Sequence, residues 1–456
     1  MLLINSDKNI YFHDIIGSMS YALDLTDGQP AGHSLRCCWI GMHIGQYLNL
    51  SPQHQHDLYY MLLLKDAGCS SNASRLCELY GSDDILVKRA FKEVDSQDKR
   101  LLAKFILKYC GLKGSSLSKM KHFLLLAIKG GKISNELITS RCSRGAKVAQ
   151  QLGLNNDVAQ GIYSLDEHYN GKGLACGLKE EEIPLYSRVA LLAQVIDVFF
   201  KVAGKEVCCL HVNKRSGFWF DPALVTYFND LSSNEDFWQG LTANDLDQRV
   251  TKFQPNNLKI PLTYDLLDNV AEAFGQIIDA KSPFTAGHSK RVAHYAIKIA
   301  QWVNMTEDKK RVLYPAALLH DVGKLGVSNS ILDKPGTLDE DEWEVIKKHP
   351  HYTEEILSRF LPFHSLAQIA GAHHERLDGT GYYKGKKGDE ICEETRIITI
   401  ADIFDALTAE RPYRGALPVV EALKIMDDLR GSALDNDYMD ALHEIVKLED
   451  LGLLCK

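Results

Sequence analysis

The feature that most constrains the fold of this chain is an internal repeat. "AGHSLR" at 31–36 returns as "AGHSKR" at 286–291, and Asp66 returns as Asp321; both pairs lie 255 positions apart (288 − 33 and 321 − 66). A repeat over such a distance indicates two copies of one structural unit along the chain. With 456 residues, the chain is long enough for each copy to bury its own core.

The repeat continues at a second offset. "EHYNGKG" at 167–173 matches "ERLDGTG" at 375–381, and "SRVALLAQVIDVF" at 187–199 matches "TRIITIADIFDAL" at 395–407, both 208 positions apart (375 − 167 and 395 − 187). The difference of 47 positions (255 − 208) indicates extra chain in the first copy, over much of 75–130.

Both copies carry the apolar pattern of amphipathic helices. Apolar residues fall at i, i+3, i+4, i+7, i+8 and i+11 from Val292 to Val303, and the first copy repeats this stripe from Cys37 to Leu48. Alternating strand patterns are scarce, and the best candidate is 205–212. We therefore predict an all-α fold.

The segment 240–262 is polar and contains Pro255 and Pro261, which is typical of a junction between domains. We predict two helical domains in tandem, 1–250 and 251–456.

One helix of the second copy has predicted ends. Thr337 and Glu340 have the spacing of a capping box that begins a helix over "LDEDEWEVIKK". Pro350 disfavours the α conformation in the residue before it, so we expect this helix to end at His349.

Charge and cysteine content exclude several classes of protein. The net charge of −8, from 60 acidic and 52 basic residues, gives no global field that attracts duplex DNA, RNA or anionic membranes. Eleven cysteines without C-x-x-C spacing do not suggest a disulfide framework and favour a reducing compartment. We find no signal peptide and no membrane span, and expect a cytoplasmic protein.

Candidate metal ligands are concentrated in the second copy. Adjacent side chains such as His320 and Asp321 point about 100° apart on a helix and can converge on one ion, although a lone pair of this kind is more often a surface pair. Five imidazoles and two carboxylates in one domain are harder to explain as core residues, since each would need a partner. Such a set suits a two-metal centre for phosphodiester hydrolysis.

Three motifs in this region resemble one known family. "HDVGK" at 320–324, "HHERLDGTGY" at 373–382 and "ADIFDALTAERPYR" at 401–414 are similar to the HD-GYP family of bacterial cyclic-dinucleotide phosphodiesterases, over about 270–440. The resemblance implies an all-helical HD-type fold for each domain, and hydrolysis of c-di-GMP or a related ring. The metal ligands that it implies are His288, His320, Asp321, His349, His373, His374 and Asp402.

The same resemblance implies roles in substrate binding. Lys324 would contact the scissile phosphate and is a candidate to protonate the leaving 3′-oxygen, which makes it catalytic together with Asp321. Gly381, Asp405, Arg411 and Arg414 match positions that touch the bound dinucleotide in the family. For the arginines, bidentate contacts to phosphate or guanine supply a physical reason, and surface ion pairs are the simpler alternative.

The sequence departs from the family pattern at two positions. Tyr383 replaces the proline of the GYP tripeptide, so the loop loses a fixed φ angle. Relatives that bind a third metal carry a glutamate four residues before the first histidine, where this chain has Phe284. We therefore expect two divalent ions, of iron, manganese, nickel or zinc.

The first copy has lost most of these ligands. His33 and Asp66 remain. The positions of the other donors are taken by Lys65, Arg141, Leu165, Asp166 and Gln194, and Cys69 replaces Lys324. Cationic side chains repel metal ions, so we predict a degenerate, metal-free domain. A role in packing or homodimer formation, in shaping the substrate cleft, or in sensing a ligand remains open.

We predict a cyclic-dinucleotide phosphodiesterase that produces the linear dinucleotide, with a second cut to mononucleotides left open. The tandem arrangement is similar to the Vibrio-type HD-GYP enzymes that act on 3′,3′-cGAMP, so this ring and c-di-GMP are both candidate substrates. The alternatives are a cyclic-dinucleotide sensor or scaffold with little catalysis, and another nucleotide phosphohydrolase of the HD superfamily.

Overall fold

The computed structural model describes residues 10–112 and 116–450, and this part of the chain is helical, with isolated bridges but no β-strand. The predicted all-α fold is confirmed. Contacts divide the chain into two compact units, a first unit over Ile10–Pro261 and a second unit that begins at Leu262. The predicted domain ends at 1–9 and 451–456 lie outside the described residues.

The described part of the first unit contains twelve α-helices: α1 (Phe12–Thr26), α2 (His33–Tyr47), α3 (Pro52–Leu64), α4 (Ala73–Tyr80), α5 (Asp84–Phe91), α6 (Lys99–Tyr109), α7 (Ser116–Gln151), α8 (Asn156–Tyr163), α9 (Leu185–Lys214), α10 (Pro222–Ser232), α11 (Glu235–Leu241) and α12 (Leu246–Thr251).

Ten α-helices follow in the described part of the second unit: α13 (Tyr264–Asp279), α14 (His288–Trp302), α15 (Glu307–Leu319), α16 (Asn329–Leu332), α17 (Glu340–Ile346), α18 (His349–Ser358), α19 (His364–Ala370), α20 (Glu393–Thr408), α21 (Val419–Asp427) and α22 (Asn436–Asp450).

Helix bounds repeat at the two offsets found in the sequence. Helices α2 and α3 correspond to α14 and α15 at an offset of 255 (288 − 33 and 307 − 52). Helices α8 and α9 begin 208 positions before α19 and α20 (364 − 156 and 393 − 185). The extra chain of the first copy forms α4, α5, α6 and the first part of α7.

The predicted apolar stripes form the centres of both cores. On α14, the stripe residues Val292, Ala296, Ile299 and Ala300 are fully buried. On α2, the stripe residues Cys37, Ile40 and Ile44 are fully buried. Because these residues recur every three or four positions, each helix turns one continuous face inward.

The segment 205–212, the best candidate for a strand in the sequence, is helical and forms the last part of α9, in agreement with the all-α prediction. The helix changes direction at Gly204, whose φ of +81° is a conformation that glycine adopts without a steric penalty. Cys208 and Val212 are fully buried four residues apart, so the helical period decides which side chains face the core.

The predicted helix end at His349 is wrong. Helix α17 ends at Ile346, and His349 begins α18 with Pro350 in its first turn. Proline is well placed there, because an N–H at the start of a helix has no intrahelical partner to lose. The capping box lies two residues after its predicted position, at Asp339 and Glu342.

The structure also bears on membranes and disulfides. No described helix combines the length and hydropathy that crossing a bilayer requires. The ten cysteines for which the structure gives a state are free thiols.

Candidate metal centre

The structure brings the seven predicted metal ligands together in the second unit. Most of them lie near the ends of helices. His288 begins α14 and His349 begins α18. The pair His320 and Asp321 follows α15, and the pair His373 and His374 follows α19. Asp402 projects from within α20. Groups of nitrogen and oxygen atoms from these residues lie within 4.8 Å of one another. Packing of the helices therefore sets the positions of the donors.

Asp321 lies at the centre of the cluster and is 1% exposed. Its Oδ2 atom is 3.5 Å from Nε2 of His288 and 3.5 Å from Nε2 of His320. Its Oδ1 atom is 3.3 Å from Nε2 of His349 and 3.6 Å from Nε2 of His373. Each carboxylate oxygen thus faces a different pair of imidazoles, the arrangement of a carboxylate that bridges two cations.

Backbone contacts fix the tautomers of three histidines. His320, His349 and His373 each direct Nδ1 at the carbonyl oxygen three residues earlier, at 2.6–2.7 Å. A carbonyl only accepts, so Nδ1 carries the proton and Nε2 of the neutral ring presents a lone pair. All three lone pairs are thereby available to a metal ion.

Two of these lone pairs lie face to face. Nε2 of His349 is 3.2 Å from Nε2 of His373. Burial lowers the pKa of His349 to about 4 and also lowers the pKa of His373, so both rings are neutral near pH 7. Two acceptors in contact repel each other unless a cation binds to them. The residues present therefore fit a metal centre.

Other buried atoms of the cluster have unmet bonding capacity. Nε2 of His288, Nε2 of His320 and Oδ1 of Asp321 have no hydrogen-bond partner within the described part of the chain. Orphaned polar atoms are uncommon in protein interiors, since each loses its solvation without compensation. Three of them around one point again fit divalent cations.

Asp405 and Arg291 hold His288 in place. Asp405 Oδ2 is 2.6 Å from Nδ1 of His288, and Arg291 donates to the same carboxylate from Nε at 2.5 Å and from Nη2 at 3.1 Å. Such partners orient a ligating imidazole and raise its basicity. Asp405 was predicted to touch substrate, but the structure places its carboxylate behind a metal-ligand candidate. Arg291 was not singled out from the sequence, although it closes the repeated hexapeptide "AGHSKR".

Close backbone packing joins two of the donor segments. Gly323 donates its N–H to Oγ1 of Thr353 at 3.0 Å, and this hydroxyl donates to the carbonyl of His320 at 2.8 Å. A Cβ atom on Gly323 would lie 1.9 Å from the carbonyl oxygen of His349. Only glycine allows this approach, which fixes the distance between the His320 and His349 segments.

Lys324 connects the centre with solvent. Its ammonium is 2.5 Å from Oδ2 of Asp321, and its side chain is 21% exposed. Burial alone would raise the pKa of Asp321, but the ammonium of Lys324 and the nearby imidazoles keep this pKa well below its usual value. Asp321 is therefore ionised and able to bind cations.

The other predicted substrate contacts lie in different surroundings. Gly381 packs against the backbone of 374–376, where a Cβ would approach within 2.5 Å. The guanidinium of Arg414 donates to the carbonyls of 406–407 at 2.8 and 3.0 Å, so it stabilises its own loop. The Arg411 side chain makes no hydrogen bond or ion pair with any residue that the structure describes. Contacts of these residues with a dinucleotide remain predictions.

In the first unit, the first histidine has the same carboxylate and arginine partners as its counterpart in the second unit. His33 Nδ1 is 2.6 Å from Oδ2 of Asp197, and Arg36 Nε is 2.5 Å from Oδ1 of the same carboxylate. Asp197 and Asp405 are 208 positions apart, the offset of the repeat (405 − 197). The two units therefore share one scaffold around their first histidine.

Lysine ammonium groups in the first unit contact the residues that would face metal ions. Lys65 Nζ forms an ion pair with Oδ2 of Asp66 and lies 3.0 Å from Nε2 of His33. Lys92 Nζ lies 3.7 Å from Oδ1 of Asp66 and 3.1 Å from Oε1 of Gln194. Each oxygen of Asp66 thus faces a fixed cation. The sequence did not identify Lys92 as part of this site, because Lys92 lies in the extra chain and has no counterpart in the second copy.

Comparison with known proteins gives a close relative over almost the whole chain. A family model described as an HD domain matches residues 272–438. The 3′3′-cGAMP-specific phosphodiesterase 3 of Vibrio cholerae is 50% identical over 435 residues, which cover 95% of this chain and 94% of the relative. The chain belongs to the HD-GYP family.

Other members of this family are similar over parts of the chain or in structure. A cyclic di-GMP phosphodiesterase of Thermotoga maritima is 36% identical over 185 residues, 40% of this chain and 50% of the relative. The crystal structure of a cyclic GMP-AMP-specific phosphodiesterase from V. cholerae matches with a TM-score of 0.66 and 46% identity, covering 96% of this chain and 98% of that one. HD-domain hydrolases of this family depend on metal ions, in agreement with the donor cluster.

Proposed function

We propose that the second unit hydrolyses a cyclic dinucleotide, with 3′,3′-cGAMP as the preferred substrate, and releases the linear dinucleotide. The observation that carries this proposal is the carboxylate of Asp321, whose two oxygens face separate pairs of buried imidazole nitrogens. The preference for the mixed ring is supported by the relative that matches 95% of the chain and is named as specific for 3′3′-cGAMP.

The proposed cofactor is a pair of divalent transition-metal ions, iron, manganese, nickel or zinc. One ion would be held by His288, His320, Asp321 and Asp402, and the other by Asp321, His349, His373 and His374. When bound, such a pair activates water and neutralises charge on the phosphate. The mixture of imidazole and carboxylate donors suits these ions rather than Ca²⁺, which prefers oxygen ligands alone.

Lys324 is the proposed acid of the reaction. Its ammonium lies beside Asp321 and also reaches solvent, so it can donate a hydrogen bond to a phosphate oxygen in the cleft. Hydrolysis breaks the bond between phosphorus and the 3′-oxygen, and the leaving oxygen takes a proton. We propose that Lys324 supplies this proton and recovers it from solvent.

Product analysis tests the assignment. The full-length protein, loaded with Mn²⁺ or Fe²⁺, is incubated with 3′,3′-cGAMP, c-di-GMP and c-di-AMP, and the products are separated by chromatography. We expect cleavage of 3′,3′-cGAMP that is lost in Asp321→Ala and retained in Asp428→Ala, which removes an exposed carboxylate of the same unit. Faster cleavage of c-di-GMP would refute the preference, and binding without cleavage would identify a sensor instead.

Metal analysis tests the cofactor separately. We expect about two equivalents of metal per chain in the purified protein and fewer in Asp321→Ala, because this side chain faces both groups of donors. A single equivalent in an active protein would contradict the two-ion proposal but leave the hydrolytic activity in place.

We also propose that the first unit forms a homodimer through α7. Four apolar side chains with helical spacing are exposed along this helix: Leu117 by 84%, Met120 by 58%, Leu124 by 50% and Ile128 by 78%. A second copy can bury this stripe isologously, as in most symmetric dimers. Light scattering should give a dimer that Leu117→Lys with Leu124→Lys converts to a monomer; a monomeric parent protein would refute the proposal.

A further inference from the structure

The first unit contains a cavity of about 170 Å³ at the position that holds the donor cluster in the second unit. At one end it is lined by Cys69, Arg141, Asp166 and Gln194, whose counterparts at the repeat offsets are Lys324, His349, His374 and Asp402. Lys92, from the extra chain, lines the same end. The first unit thus has a cavity at the position of the donor cluster, although the residues that would bind metal ions there have been replaced.

The walls of the cavity come largely from the extra chain of the first copy. Helices α4, α5 and α7 contribute mainly apolar side chains, among them Leu76, Leu79, Phe91, Leu126, Ile133 and Leu137. Water that enters such a partly open, mainly apolar pocket has few hydrogen-bond partners there, so its displacement by an apolar ligand is favourable. The extra helices therefore form the walls of a pocket that suits a small, largely apolar ligand.

The polar end of this cavity does not offer free positive charge. The nearby cations are already paired with carboxylates: Lys65 with Asp66, Lys88 with Asp84, Lys92 with Asp27, and Arg141 with Asp166. Four positive and four negative charges cancel, so a doubly charged cyclic dinucleotide would leave water without a net counter-charge. The chemistry of this end favours an uncharged ligand.

Two hydrogen-bond donors at the cavity have unmet capacity. Nε1 of Trp219 is buried without a partner among the described residues, and Trp219 stacks on His168 with ring centroids 4.1 Å apart. Gln194 accepts from Lys65 and Lys92 through Oε1, while its side-chain nitrogen donates to no described residue. Both residues line the cavity. Nε1 of Trp219 is itself inaccessible, so the side-chain nitrogen of Gln194 is the donor that an acceptor oxygen on a ligand would satisfy.

We propose that this cavity binds a neutral aromatic small molecule of one or two rings that carries one hydroxyl or carbonyl oxygen. The volume supports this size, because an apolar cavity of roughly 150 Å³ in another protein accommodates benzene. The ring would lie among the leucines and Phe91, and the oxygen would face the side-chain nitrogen of Gln194. The first unit is therefore a ligand-binding domain, independently of the reaction catalysed by the second.

Binding of 4-methylphenol to the full-length protein tests this proposal, with benzoate and 3′,3′-cGAMP as charged probes. Quenching of tryptophan fluorescence and calorimetry report binding. We expect saturable binding of 4-methylphenol to the parent protein and to Asp321→Ala, and binding of benzoate that is at least about tenfold weaker, because its carboxylate would meet paired charges. Tighter binding of benzoate than of 4-methylphenol would overturn the proposal. A protein that does not bind 4-methylphenol at all would also overturn it.

Two variants locate the site. Leu137→Trp fills the cavity and should abolish binding of 4-methylphenol while hydrolysis by the second unit is unchanged. Gln194→Glu keeps the apolar walls and an oxygen that accepts from Lys65 and Lys92 but removes the side-chain N–H donor, and should weaken binding about fivefold, the effect of one hydrogen bond. If neither variant alters the affinity, the ligand binds elsewhere and the assignment of this cavity is wrong.

Discussion

Replacement of Lys65 by methionine is the sharpest test of the view that lysines substitute for metal ions in the first unit. The Lys65 side chain is 0% exposed and that of Asp66 is 1% exposed, so the pair is fully buried. Methionine has a similar length but no charge. In the variant, Asp66 would keep one cation, Lys92, at 3.7 Å from its other oxygen.

Removal of one partner from a buried ion pair typically destabilises a protein by about 3–5 kcal/mol, because the remaining charge is desolvated without compensation. Since Lys92 still faces Asp66, we expect a loss near the lower limit, about 3 kcal/mol in the free energy of unfolding of the first unit. Asp66 has a folded pKa well below its ordinary value of 3.8, so the ion pair stabilises the fold above about pH 4. This stabilisation is lost as the pH falls, and the difference between variant and parent should shrink below pH 4.

Hydrogen exchange read out by peptide mass spectrometry separates the two units and is the appropriate assay, because a two-unit protein need not unfold in a single step. Lys65→Met should accelerate exchange in residues 10–261 and leave the second unit unchanged. Adding Asp66→Asn should recover part of the loss, since the amide carries no charge. A free energy of unfolding within about 0.5 kcal/mol of the parent would refute the reasoning, because surface substitutions change stability by that amount.

Three further predictions concern the second unit. Gly323→Ala places a methyl group against the His349 carbonyl and should destabilise this unit by about 3 kcal/mol in thermal unfolding, whereas an unchanged Tm would contradict the packing described. Asp405→Asn replaces the carboxylate that accepts from both His288 and Arg291 with a neutral amide that has one acceptor oxygen, and should weaken metal binding about 10- to 100-fold in chelator competition; equal affinity would show that Asp405 does not position this ring. Exhaustive chelation should accelerate hydrogen exchange around the donor residues and lower the Tm of the second unit, while residues 10–261 keep their exchange rates.

Much of the fold could be predicted from the sequence because the chain repeats itself. The offsets of 255 and 208 align the two copies residue by residue, and the same offsets recur in the helix bounds. The donor residues stand out in the same alignment, since residues such as His320 and Lys65 occupy matched positions with different chemistry. A repeat supplies this information because equivalent positions must occupy equivalent space in both copies.

Other features depend on contacts that no local pattern encodes. Lys92 comes from a segment without a counterpart, so only the folded structure shows that its long side chain reaches Asp66. The segment 205–212 has apolar residues that satisfy both a strand and a helix period, and the preceding helix decides between them. Arg414 was singled out from its match to the family, and only the structure shows that its guanidinium donates to backbone carbonyls in the last turn of α20.

Because most of the donors lie at helix ends, the positions of the metal-binding atoms and the sequences of the connecting segments can change independently in evolution. Helix packing fixes the donor atoms, while the connecting segment 409–418 lies between helices and carries no donor atom of the cluster. Such segments tolerate changes in length and sequence more readily than the elements that they join. The segment 409–418 can therefore change in evolution while the donor atoms of the centre keep their positions.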